Sequence, residues 1–93
     1  MVKERDIEKY LKKRVAEAGG EVRRVKWQGR RGAPDDIVFL NGAHFVECKA
    51  PGKTPEPHQK RECARMKNYG VRVFLVDSYT AVDDIIWMIK HGH

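Results

Sequence analysis

Apolar residues recur at helical spacing through Ile7, Leu11, Val15 and Ala18 and stop at Gly19-Gly20. Residues 4 to 18 are therefore expected to form an amphipathic helix. The stretch from Glu21 to Trp27 mixes Val, Trp and Arg as a partly exposed strand does, and it runs into a loop, residues 28 to 32, that two glycines make pliable. Two short apolar runs follow, Ile37 to Leu40 and Phe45 to Cys48, separated by Asn41-Gly42. That dipeptide is a strong hairpin signal, so the two runs are expected to be adjacent antiparallel strands. Pro51, Gly52, Pro55 and Pro57 forbid a continuing strand and place a loop over residues 50 to 56. A helix then starts near Pro57 and ends at Gly70. Val71 to Val76 is apolar at nearly every position, as in a strand covered on both faces. Val82, Ile85, Ile86 and Ile89 mark a last amphipathic helix. The order is αβββαβα, an α/β fold with a central mixed sheet, and nothing suggests a repeat or an interdomain linker.

Length limits this plan to one core: 93 residues with 41% hydrophobic content suit a single domain over residues 1–93. No apolar run approaches the roughly 20 residues of a membrane span, and the charged start from Met1 to Arg5 leads into no export signal. A soluble, cytoplasmic chain is expected. In that reducing setting Cys48 and Cys63 are expected to be free thiols. Lys and Arg outnumber Asp and Glu by 19 to 13, a net charge of +6 that biases the surface toward a polyanion.

Candidate chemistry sits on the hairpin. Strand side chains alternate, so Glu47 and Lys49 project on one side together with Phe45. Pro34-Asp35 stands at the entrance of the partner strand, and the hairpin folds it back beside Glu47. Two carboxylates and an ammonium suit a hard divalent cation, Mg²⁺ or Mn²⁺, and hydrolysis of a phosphodiester. Asp35 and Glu47 would supply ligands, and Lys49 would orient or deprotonate the attacking water or stabilise phosphoryl charge. The register is open at this point. A two-residue Asn41-Gly42 turn pairs Asp36 with Glu47 and turns Asp35 to the other face, whereas a bulge or three-residue loop reverses this. Asp36 is thus the alternative ligand.

The chain resembles the virus-type replication-repair nuclease (VRR-NUC) family of the PD-(D/E)xK superfamily. The blocks that carry the resemblance are Ile7 to Leu11, Gly19-Gly20, Gly32-Ala33-Pro34-Asp35, Val46 to Lys53 and Gln59, in that order. Asp36 departs from the basic residue expected after the motif. The resemblance implies a metal-dependent DNA endonuclease with Asp35, Glu47 and Lys49 as catalytic residues and a helix-one glutamate and Gln59 completing the site. Metal ligands would be Asp35, Glu47, the Cys48 backbone carbonyl and Glu8. Glu8 lies roughly 20° around the helix from Val15 and roughly 60° from Leu11, at the edge of the buried stripe. Glu4, one turn earlier, is the second choice. Gln59 shares a helix face with Cys63 and Met66, which aims its amide toward the sheet. The resemblance further implies a phage-type, Holliday-junction-resolvase-like homodimer that cuts branched DNA in repair or recombination.

Arg24, Lys26, Arg30 and Arg31 before the motif, and Lys53 and Lys60 after it, are candidate phosphate contacts. Arg23 joins the first group, Arg61 and Arg65 the second. Trp27 would pack into the core or stack on a base. Zinc is not expected, because Cys48, Cys63 and His58 lack any paired ligand spacing; His44, His91 and His93 receive no role. The competing reading is a noncatalytic basic module or accessory subunit that binds nucleic acid without cutting it.

Overall fold

The computed structural model describes residues 1–92, so His93 lies outside the described residues. The elements run α1 (Glu4–Glu17), β1 (Glu21–Arg24), β2 (Asp36–Phe39), β3 (Ala43–Cys48), α2 (Pro57–Asn68), β4 (Val73–Val76) and α3 (Tyr79–Lys90). This is the αβββαβα order. The four strands form one sheet in the order β1-β2-β3-β4. β1, β2 and β3 are antiparallel neighbours, and β4 joins β3 in parallel after the crossover through α2.

Alternation along the strands divides the sheet into two faces. Val38, Val46 and Val76 point to one face and pack with Ile7, Leu11 and Val15 of α1 and with Val82, Ile85, Ile86 and Ile89 of α3. This single cluster is the hydrophobic core. α1 and α3 are pinned to one another at the surface by Asp83, which accepts from Tyr10 Oη at 2.9 Å and from Arg14 Nε at 3.0 Å. Gly20 lets α1 turn directly into β1, because a Cβ there would strike the Phe39 carbonyl and Val15.

α2 lies over the opposite face and buries less, chiefly Glu62 and Met66. Its N-terminus is seated by Gly32, whose φ of +86° and close approach to His58 (2.8 Å from a would-be Cβ to the carbonyl oxygen) exclude a side chain. The loop before β2 and the start of α2 are thereby held together.

Three sequence expectations are corrected. β1 ends at Arg24, not Trp27, because the chain leaves the sheet after Val25 donates to the Asp35 carbonyl at 2.7 Å. β4 begins at Val73, not Val71, since the Val71 N–H closes the end of α2 on the Met66 carbonyl. Nor is β4 covered on both faces: it is an edge strand, and Leu75 is 46% exposed. Among the described residues no helix is long and apolar enough to cross a membrane.

Candidate active site

The hairpin decides which carboxylates meet. Phe39 pairs with Ala43 and Asp36 with Val46, leaving Leu40, Asn41 and Gly42 between the paired ends. Asn41 and Gly42 both take positive φ, 48° and 109°, and Leu40 N–H bonds back to the Gly42 carbonyl at 2.9 Å. The loop is thus one residue longer than a two-residue turn, and the register shifts with it. Asp36 faces the core beside Val46, and Asp35, the next position along, comes beside Glu47 on the face that carries α2.

Glu47 is the centre of that face. It is 5% exposed, and Lys49 Nζ lies 3.6 Å from its Oε2. Gln59 Nε2 donates to the same oxygen at 3.5 Å, while the Gln59 Oε1 accepts from the Glu56 backbone N–H at 2.8 Å. The amide is therefore held at one end by the cap of α2 and at the other by Glu47. Oε1 of Glu47 is buried with no partner among the described residues. Burial first, and then the negative charge of Asp35, raise the Glu47 carboxyl above its ordinary range, against the opposing pull of Lys49. Asp35 is about half exposed, so this group opens to solvent on its side.

The helix-one glutamates differ in what they act on. Glu8 pairs with Arg24 at 2.7 Å and with Lys12 at 3.9 Å. Burial and the neighbouring Glu8 together raise the Asp36 carboxyl to about 7. Asp36 is 1% exposed, its Oδ1 has no partner, and its Oδ2 receives the Cys48 thiol at 3.9 Å. The helix-one charge that Glu47 feels is instead that of Glu4. The structure therefore joins Asp35, Glu47, Lys49 and Gln59 directly, brings Glu4 near them electrostatically, and links Glu8 to them through Arg24, whose Nη2 is 3.7 Å from Asp35.

Cation chemistry fits this donor set. A buried carboxylate oxygen with no partner, beside a second carboxylate that repels it, is an arrangement that a hard cation would stabilise. Among the described residues no three His, Cys, Asp or Glu side chains form a ready-made cage, so backbone carbonyl, water and phosphate oxygens would complete the shell. The Cys48 side chain turns into the core, where burial pushes its thiol far up, so the side chain is no ligand on the Glu47 face.

The basic groups also sort themselves. Lys26, Arg31, Lys53 and Lys60 are exposed, and Lys60 lines a hollow with Glu47 and Gln59. Arg30 lies 3.6 Å from the buried Glu62, which also holds Arg65 at 2.6 Å. Sequence reasoning missed Glu62; its i+3 spacing to Arg65 was the available sign. Trp27 packs on Phe45 with ring centroids 5.5 Å apart and donates its indole N–H to the Pro34 carbonyl at 2.6 Å. That is the packing role, and it fixes the peptide that carries Asp35.

No family model matches the chain. A protein of Acyrthosiphon pisum secondary endosymbiont phage 1, described as "Putative nuclease p44", is 46% identical over 80 residues, which is 84% of this chain and 86% of that protein. A solved structure described as a VRR_NUC domain superposes with a TM-score of 0.82 at 40% identity, covering 100% of both chains.

Proposed function

This chain belongs to the VRR-NUC family and is a nuclease, and from that premise we propose that it cleaves DNA at the Asp35–Glu47–Lys49 group with a bound divalent cation, Mg²⁺ or Mn²⁺. The observation that carries the site assignment is the buried, partnerless Oε1 of Glu47 beside Asp35. Asp35, Glu47 and the Cys48 carbonyl would hold the cation. When bound, such a cation supplies charge neutralisation at the phosphoryl oxygens and activation of water.

The remaining work falls to the chain's own residues. Lys49, 15% exposed and held near Glu47, orients the attacking water or meets the negative charge that develops on the phosphoryl group. Gln59 fixes the Glu47 carboxylate through Oε2. Lys26, Arg31, Lys53 and Lys60 steer the DNA backbone without reading its sequence. Attack by water is direct, and no side chain here needs to form a covalent intermediate.

We extend the reading to branched or four-way-junction DNA cut by a homodimer in repair or recombination. The support is the family resemblance and the exposed apolar side chains Phe39, Leu75 and Tyr69, which a second copy would cover. The test is incubation with supercoiled, flapped and four-way-junction DNA, with and without Mg²⁺. Cleavage that requires Mg²⁺ and is lost in Glu47→Ala and Lys49→Ala, with DNA affinity retained, supports the proposal. Binding without cleavage on any DNA would leave only the noncatalytic module, and cleavage of matched RNA alone would replace DNA as the substrate.

A further inference from the structure

Arg24 stands where β1 leaves the sheet. Its backbone pairs with Asp36, and the next residue, Val25, donates to the Asp35 carbonyl. Its side chain spans two elements. Nη1 donates to Glu8 Oε2 of α1 at 2.7 Å, and Nη2 lies 3.7 Å from Asp35 Oδ2 at the head of β2. A planar guanidinium can face two carboxylates at once, whereas an ammonium presents a single point of charge. Three carboxylates, Glu8, Asp36 and Asp35, act on Arg24 and strengthen its hold on its proton. The other cation at Glu8 is Lys12, at 3.9 Å.

An arginine engaged in this way is poorly placed to meet a DNA phosphate. Resting on the proposed cation site, we propose that Arg24 is a positioning residue: it braces Asp35 against Glu8 and, as a fixed positive charge beside Asp35, weakens the hold of that site on a divalent cation. The same contact thus has two measurable effects. Losing the brace slows cleavage, and losing the charge tightens the cation. Arg24 is 58% exposed, so water-like screening applies, and a unit charge about 6 Å from a divalent cation then changes its affinity about tenfold.

The test compares the wild type with Arg24→Gln and Arg24→Lys in three measurements. Mn²⁺ binding is titrated without DNA by the electron paramagnetic resonance of the free ion. DNA binding is measured in EDTA across a salt series. Single-turnover cleavage is measured at saturating Mn²⁺. Arg24→Gln is expected to bind Mn²⁺ about tenfold more tightly, and Arg24→Lys, which keeps the charge, to match the wild type. Both are expected to keep the wild-type salt slope and to cleave about 10- to 100-fold more slowly. A salt slope reduced by about one would mark a phosphate contact and overturn the proposal. So would Mn²⁺ binding in Arg24→Gln that is unchanged or weaker. Should Arg24→Gln fail to fold, the salt slope and cleavage rate of Arg24→Lys still decide, since the lost fork alone must slow cleavage. A Glu47→Ala protein that binds Mn²⁺ like the wild type would instead remove the cation site itself, a separate result.

Discussion

Gln59 and Glu47 are joined across the gap between α2 and β3 by a 3.5 Å hydrogen bond to Oε2, and this bond turns the other carboxylate oxygen, Oε1, into a buried position with no partner. Gln59 can do this because its own carbonyl is fixed by the Glu56 backbone N–H. Replacing Gln59 with Ala is expected to slow cleavage about 10- to 100-fold, in the range seen for groups that orient a metal ligand. Because Gln59 is only half-buried, the melting temperature is expected to move by a few degrees at most. Single-turnover rates and thermal melts of the same preparation check both. A large melting shift with an unchanged rate would make Gln59 a structural cap only.

Asp36 gives the metal-free protein a particular pH dependence. Its folded carboxyl is raised to about 7 from the ordinary 3.8 by burial and by Glu8. The folded state therefore holds a proton that the unfolded chain releases. That contribution is fully present below about pH 4 and is lost as the pH rises through about 7. Asp36→Asn removes the buried charge and is expected to flatten this fall and to be the more stable protein above pH 7. Melting curves in EDTA from pH 4 to 8 measure it; parallel curves for the two proteins would refute the assignment.

Gly32 holds the motif loop on α2. A Cβ there meets the His58 carbonyl at 2.8 Å and the Gln59 Cα at 3.0 Å, and φ is +86°. Gly32→Ala is expected to cost about 1–3 kcal/mol of stability and to slow cleavage by separating Asp35 from Gln59. Gly29→Ala is the control: it shares a positive φ but meets nothing within 4 Å, so it should lose stability without a comparable loss of rate once folded.

The two thiols are free and unequal. Burial, and after it the charge of Asp36, holds the Cys48 thiol protonated, whereas Cys63 is half-buried and raised by a smaller extent of burial. Alkylation of the folded protein at pH 8 is expected to label Cys63 first and Cys48 only on unfolding. Peptide mass spectrometry reads the order directly. Labelling of Cys48 at an equal rate would contradict its placement in the core.

Much of the fold was written in the spacing of apolar residues. Ile7, Leu11 and Val15 repeat at helical intervals and all three are fully buried. The hairpin was equally plain in Asn41-Gly42, but its register was not. Both a two-residue turn and a bulged loop accept positive φ at those residues, and the choice was made by packing Val38 and Val46 into the core, which no local signal encodes. The same long-range choice set Asp35 beside Glu47. Glu8 shows the other limit: helical geometry placed it correctly at the edge of the buried stripe, yet not which strand would lie there. Asp36 and Arg24 meet it because β1 and β2 pair beneath that end of α1. Leu75 was misjudged as covered because an apolar run does not reveal that its strand forms the sheet edge.

Anomalous diffraction from a crystal of the protein soaked in Mn²⁺ would locate the cation against Asp35 and Glu47. A peak is expected within coordination distance of Asp35 and of Glu47 Oε1, close to the Cys48 carbonyl, and is expected to disappear in Glu47→Ala. A fully soaked crystal with no peak there, or with its peak on the Glu8–Asp36 side and none beside Glu47, would contradict that placement.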